Sequence, residues 1–208
     1  VINSADSAIA VTVEAGNAGT ATAASITGLT SGSTVTVNDS KDATGGVQAL
    51  TVGYKDLEAA ATIDVNSVKA AGTAVTINNV TAATIDYAKS ASSATAGIST
   101  DVTTSLNIIA AKDVNTGAIT SNNKLKTLTI TGQDAVTTTT VTSTALETVT
   151  VSGVKATQIT DMVEAGKLKT VNVTSTTDLV SVGDIGAANK NNTTDALNIT
   201  VSAAKAAT

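Results

Sequence analysis

Leu125-Lys-Thr-Leu-Thr-Ile-Thr-Gly132, Leu146-Glu-Thr-Val-Thr-Val-Ser-Gly153 and Leu168-Lys-Thr-Val-Asn-Val-Thr-Ser175 are three copies of one pattern. Each has an apolar residue, two spacers, then apolar and polar residues in alternation. The alternation has period 2, so each copy reads as a short strand with one face buried. Thr and Val are β-branched and suit a pleated surface. With the fourth position as marker, the series extends both ways: Ile63, Ile85, Leu106, Leu128, Val149, Val171 and Ile199. The steps are 22, 21, 22, 21, 22 and 28 residues. The residue two further on is apolar every time: Val65, Tyr87, Ile108, Ile130, Val151, Val173 and Val201.

A second apolar landmark follows each marker by about half a period: Val75 with Ile77, Ile98, Ile119, Val141, Met162 with Val163, and Val182. Two inward columns per period describe a coil that winds back over itself. A fixed period of this length with short strands is the mark of a solenoid. The expected fold is therefore all-β, a parallel β-solenoid with about 21–22 residues per rung. A stack of hairpins would need turn signals every few residues, and Asn-Gly pairs are absent. The leucine-rich repeat is a rival coil, since Leu125-x-x-Leu128-x-Ile130 matches the start of its consensus. That reading carries a short helix per rung, and the Asn its consensus requires is missing.

Residues 158–167 (Gln-Ile-Thr-Asp-Met-Val-Glu-Ala-Gly-Lys) read as a short helical insertion, with Asp161 as cap, Glu164 three later and Gly166 as stop. Residues 55–61 read as another. The rung after Val171 carries about six extra residues, expected as an external loop over 183–192. The N-terminal part is less regular. Val11-Thr-Val13 and Val35-Thr-Val37 have the same flavour at steps of 24 and 28. The expected organisation is an N-terminal β cap or small β module over 1–48 and the solenoid over 49–208.

The 208-residue chain contains no Pro, Cys, His, Trp or Phe, and all 12 of its basic residues are Lys. These absences exclude Cys or His metal sites, His-based triads, thiol nucleophiles and arginine clamps. Hydrophobic residues make up 42% and charged residues 14%, which opposes disorder. A net charge of −5, no Arg and only two aromatics argue against nucleic-acid binding. No apolar run approaches the roughly 20 residues of a membrane span. Val1 is followed by no basic and apolar leader, so the expectation is a processed chain, a fragment, or export without an N-terminal signal. A thin coil leaves little room for Phe or Trp, and Pro cannot donate to a ladder.

Oxygen-bearing side chains are the remaining chemistry. The residue after each marker forms a column: Asp64, Asp86, Asn107, Thr129, Thr150, Asn172 and Thr200. Stacking would bring Asp64 over Asp86, where a Ca²⁺ ion would relieve the repulsion. The stretch Asn38-Asp39-Ser40-Lys41-Asp42 with Gly45 and Gly46 has a loose likeness to a calcium loop, making Asp39 and Asp42 further candidates. The alternative for both is a solvated polar face or turn. Sequons such as Asn79-Val80-Thr81 follow from the Thr content. A glycosidase needs two carboxylates, and 17 Asp and Glu are present, but no paired acidic motif recurs beside aromatics. No catalytic residue is assigned.

The three Leu-x-Thr repeats, the Thr/Ala/Val/Ser/Asn bias, the acidic balance and the missing Cys resemble Gram-negative surface-layer proteins of the Campylobacter and Caulobacter type. The likeness covers about residues 60–205. It implies an extracellular, bacterial cell-surface protein that assembles with itself into a lattice or oligomer. It further implies Ca²⁺ and an anchor to lipopolysaccharide through regions outside this stretch. The calcium nonapeptides often found in such proteins are missing. The expected function is structural, without catalysis. An adhesin or passenger stalk, with the solenoid as spacer, is the alternative, and a carbohydrate-active β-helix enzyme is the second.

Overall fold

The computed structural model describes residues 2–3, 6–15, 21–39, 46–67, 74–87, 93–94, 97–163, 165–185 and 197–205. They contain β1 (Ile2–Asn3), β2 (Ala10–Ala15), β3 (Ala21–Leu29), β4 (Thr34–Asp39), β5 (Gly46–Ser67) and β6 (Ala74–Tyr87). The chain continues through β7 (Ser93–Ala94), β8 (Gly97–Thr100), β9 (Ser105–Ala110), β10 (Val114–Asn115), β11 (Ile119–Ser121) and β12 (Thr127–Gly132). It closes with β13 (Val136–Thr142), β14 (Thr148–Gly153), β15 (Thr157–Val163), β16 (Thr170–Ser175), β17 (Val180–Ile185) and β18 (Asn198–Ala203). Every described pairing is parallel and links one rung to the next, so the protein is a parallel β-solenoid.

One wall is built by β2, β4, the second half of β5, the second half of β6, β9, β12, β14, β16 and β18. Its central column runs Val11, Val35, Ile63, Ile85, Ile108, Ile130, Val151, Val173, Val201. From Val11 to Val173 these residues are no more than 5% exposed. Each fully buried side chain of this size contributes about 1.5–3 kcal/mol relative to exposure. The opposite wall carries Leu50, Val75, Ile98, Ile119, Val141, Met162 and Ile185 in register. Between the walls, β10 stacks Val114 on Val136, and β13 merges in one strand what β10 and β11 do separately a rung earlier.

The strand β4, within the stretch 1–48, pairs directly with β5 from Val35↔Ile63 to Asp39↔Ser67. Further along, the register departs from the 21-residue step between Ile85 and Leu106. Ile85 lies beside Ile108, and Leu106 lies beside Ala83. The first wall column is therefore Ala61, Ala83, Leu106, Leu128, Val149, Val171, Ile199, two residues offset from the marker series in its early part. A slip of two residues keeps every side chain on its own face, so alternation alone does not detect it. On the opposite wall, Met162 likewise meets Ile185 rather than Val182, which pairs with Ile159.

Both expected helices are strand. Residues 158–163 belong to β15, whose backbone bonds to β13 and β17 on either side. Met162 is fully buried over Val141, and only a turn follows, closed by Leu168 N–H on the Ala165 carbonyl at 3.1 Å. Two flanking ladders outweigh local capping signals, as tertiary context commonly does. Residues 55–61 lie in β5, where five steps from Gly53 to Glu58 face two from Asn78 to Val80. The surplus bulges outward and leaves Leu57 67% exposed. No helix occurs among the described residues, so the leucine-rich repeat reading is set aside. The extra rung length after Val171 begins with strand, because β17 continues to Ile185; residues 186–192 lie outside the described residues.

A corner of the coil narrows along its length. The third wall column reads Val13, Val37, Val65, Tyr87, Ala110, Gly132, Gly153, Ser175, Ala203. At Gly153 an added Cβ would lie 2.6 Å from Thr157 Oγ1 and 2.9 Å from the Asp134 carbonyl oxygen. At Gly166, on the turn after β15, nothing lies within 4 Å of such an atom. Gly153→Ala should therefore destabilise the fold by roughly 1–3 kcal/mol, and Gly166→Ala should stay within about 0.5 kcal/mol of the parent. Urea unfolding followed by circular dichroism compares the two directly.

Candidate functional site

The outward residues of the wall stack into columns at the strand spacing of about 4.8 Å. Asp64 and Asp86 are register partners on β5 and β6, and both are half-buried. The expected continuation from Asp86 to Asn107 is corrected by the register. Asn107 lies beside Thr84, and Asp86 lies beside Ile109. The carboxylate pair is thus flanked by Thr36 on one side and an apolar residue on the other. Asp39 ends β4, with Ala15 and Ser67 as its register partners. Asp42 lies outside the described residues. Among the described residues, no group of three or more acidic, His or Cys residues gathers into a metal-holding cluster. Ca²⁺ takes six to eight oxygens. At Asp64 and Asp86 it would need neighbouring hydroxyls or water beyond the two carboxylates.

Three polar ladders stand out that the repeat pattern did not suggest as such. The first is an amide ladder beside the wall. Asn66 Nδ2 donates to Asn38 Oδ1 at 2.8 Å, and Asn38 Nδ2 donates to Glu14 Oε1 at 2.7 Å. The steps between these residues equal those of Val11, Val35 and Ile63, so one column could have been inferred from the other. The second is a set of ion pairs at a corner, each joining successive rungs: Asp134 with Lys155, and Asp178 with Lys205. Lys155 Nζ lies 2.5 Å from Asp134 Oδ1, and Lys205 Nζ lies 3.2 Å from Asp178 Oδ1. The third is visible in the opening quotation, where Lys126, Glu147 and Lys169 alternate in charge. Glu147 N–H bonds to the Lys126 carbonyl and Lys169 N–H to that of Glu147, so they sit on successive rungs.

The hydrogen bond to Asp134 raises the Lys155 pKa, with burial opposing it and the charges of Asp134 and Asp113 adding to it. The hydrogen bond from Lys205 lowers that of Asp178, assisted by the Leu179 N–H. Both groups are solvent-exposed and screened, so they set register and local order more than global stability.

Inside the coil, hydroxyls take the carbonyls that the corners leave unpaired. Thr103 Oγ1 donates to the Val80 carbonyl at 2.8 Å and Ser143 Oγ to that of Leu125 at 2.9 Å. Thr116 and Thr138 meet hydroxyl to hydroxyl at 3.2 Å, fully buried. Asn79 and Asn123 turn corners with left-handed backbones (φ 61° and 57°), a conformation Asn tolerates. Asn79 Nδ2 donates to the Tyr54 carbonyl at 2.7 Å, which commits the sequon amide to the corner. The two tyrosines differ. Tyr54 Oη donates to the Ser33 carbonyl at 2.7 Å, and its pKa is raised by burial and by Glu58. Tyr87 Oη is buried without a partner, and burial pushes its phenol far above the ordinary range.

No known protein family, curated protein or solved structure matches this chain.

Two outcomes follow from these side chains. Tyr54→Phe should cost about 0.5–1.5 kcal/mol for the lost hydrogen bond, whereas Tyr87→Phe should be neutral or stabilising; thermal melts of both variants test the contrast. Because the Asp178 pKa is lowered on folding, its contribution is present above the unfolded value near about 3.9 and lost as pH falls through the lower folded value. Hydrogen exchange of β18 amides, corrected for intrinsic rates, should lose protection over that acid range. Lys205→Met should flatten the dependence. At the basic end the raised Lys155 works in the opposite sense: its contribution is present below the ordinary lysine pKa and lost as pH rises through the folded value.

Proposed function

We propose that this chain is a structural, self-assembling bacterial cell-surface protein that forms part of a surface-layer lattice and carries out no catalysis. The observation that carries this reading is the outer face of the long wall. There Thr129, Thr150, Asn172 and Thr200 stack in one column and Thr131, Ser152, Thr174 and Ser202 in the next. Short hydroxyl and amide side chains held by a rigid ladder present the same weak contact once per rung. Such a surface favours lateral association through many small contributions, each too weak to hold alone. Ca²⁺ is proposed to join copies through oxygen-rich faces such as that of Asp64 and Asp86, and lipopolysaccharide would be engaged through other regions of the protein.

Negative-stain electron microscopy of the purified protein tests the proposal. Ordered sheets should form with Ca²⁺ and diminish with a chelator. Asp64→Asn combined with Asp86→Asn should weaken the Ca²⁺ response. Monodisperse particles under all conditions that bind neither glycan nor cells would favour a stalk that spaces a binding region located elsewhere.

A further inference from the structure

On β12, β14 and β16 every outward position of the long wall is Thr, Ser or Asn: Thr127, Thr129 and Thr131, then Thr148, Thr150 and Ser152, then Thr170, Asn172 and Thr174. These nine stand in three columns in unbroken register, from Thr127 on Thr148 on Thr170 to Thr131 on Ser152 on Thr174. Neighbours in a column are about 4.8 Å apart, and two residues along a strand separate one column from the next by about 6.6 Å. Beneath them Leu128, Val149 and Val171, and Ile130, Val151 and Val173, are fully buried in matching columns. The strands thus rest on a floor of even height, and side-chain ladders of this kind keep a sheet flat. The grid is also uncommitted. Hydroxyls at the corners are bound to carbonyls, Thr104 to that of Thr81, Thr157 to that of Thr174 and Thr177 to that of Val154. None of the nine wall side chains hydrogen-bonds to another described residue. No charge stands inside the grid, and Lys126, Glu147 and Lys169 border it on one side. The opposite wall differs, because Gln158, Asp161 and Asp184 interrupt its Thr and Ser positions.

We propose that this face of β12, β14 and β16 binds ice. Ice binding is a further activity of the wall and requires neither the lattice nor Ca²⁺. Three features select the ligand. The first is spacing. A rectangular grid of hydroxyls repeating at about 4.8 Å by about 6.6 Å is close to the spacing of the oxygen rows on a prism face of hexagonal ice. Waters held by the grid continue those rows across the contact. The second is stiffness. Thr is β-branched and restricted at χ1, and each of its strands is fixed by a rung on either side. Hydroxyl and methyl are therefore in place before the ligand arrives, which lowers the ordering cost of binding. The hydroxyls join the hydrogen-bond network of the water layer, and the methyls settle between its rows. The third is chemistry. A face without charge does not recruit a polyelectrolyte or a mineral surface. Both tyrosines are buried, so no ring stands on the wall to stack against a sugar. A crystal face meets the whole grid at once, and contacts that are weak singly act together.

Partition into slowly growing ice tests the proposal, with a chelator present so that Ca²⁺-dependent sheets do not contribute. The parent chain should enter the ice while serum albumin stays in the liquid, and it should slow the recrystallisation of fine-grained ice. Thr150→Tyr places a ring at the centre of the grid and should abolish both effects. Gln158→Tyr, at an exposed position of the opposite wall, should leave both unchanged. Asn172→Thr completes the middle column with a third Thr and should strengthen recrystallisation inhibition, a gain that misfolding does not produce. Circular dichroism checks the fold of each variant. Exclusion of the parent chain from ice overturns the proposal. So does a folded Thr150→Tyr chain that keeps full activity, or a folded Asn172→Thr chain that is weaker than the parent. Retention on microcrystalline cellulose or chitin with exclusion from ice would assign the grid to a polysaccharide surface and overturns it as well. The lattice reading fails separately. Ice binding by a chain that forms no sheets under any Ca²⁺ condition upholds the ice face and removes the lattice, and sheets of a chain excluded from ice do the reverse.

Discussion

Register between successive rungs is the constraint on which everything else in this protein depends. Each inner strand bonds through its backbone to a rung above and a rung below, so a side chain meets its own positional equivalents before it meets anything else. The core is therefore one-dimensional in its logic, Ile63 on Ile85 on Ile108, faced by the equally repetitive column of the opposite wall. The same constraint orders the surface. Outward Thr129 has Asn107 and Thr150 beside it at one strand spacing, and at the corners Lys155 lies by Asp134 and Lys205 by Asp178. Like charges so placed repel. The chain meets this by pairing Asp134 with Lys155 and Asp178 with Lys205, and by alternation in Lys126, Glu147 and Lys169. Carboxylates coincide at Asp64 and Asp86 and again at Asp161 and Asp184, and in the first pair the buried neighbours Ile63 and Ile85 keep the strands in register.

How much of this was legible in the sequence depended on what each pattern could distinguish. Alternation and a near-constant period were enough for the parallel coil, because both are local and repeat many times. They were insufficient for the step from Ile85 to Ile108. There a slip of two residues leaves the inside and outside of every strand unchanged, and only the pairing itself separates the two registers. The helix expectation at 158–167 failed for a different reason. Asp161, Glu164 and Gly166 are good capping residues, but Thr157, Ile159 and Met162 match the buried positions of β13, and burial between two ladders outweighs caps worth about 1 kcal/mol. The polar ladders were recoverable in part. Glu14, Asn38 and Asn66 repeat the steps of the neighbouring valines and isoleucine, yet that they form one hydrogen-bonded file depends on side-chain geometry that spacing does not specify.

The composition takes on a more specific meaning once the rungs are in place. A corner that runs from Val65 and Tyr87 to Ala110, Gly132 and Gly153 has room for one large ring and then for almost none. Phe and Trp are thus excluded by size from this corner at Gly132 and Gly153. Thr fills a second role that Val cannot. At Thr103, Thr116 and Thr138 it has nearly the same shape as Val and adds a hydroxyl where a corner interrupts the ladder. Pro is unfavourable because inner strands need their N–H groups on both sides. Missing His, Arg and Cys follow from none of these packing rules, and they bear on function instead.

Among the described residues, the inner rungs of this solenoid turn polar side chains outward along the long wall and bury the apolar ones that face the core. On β18, Ile199 and Val201 share the chemistry of their register partners Val171 and Val173, yet they are 48% and 38% exposed where those partners are fully buried.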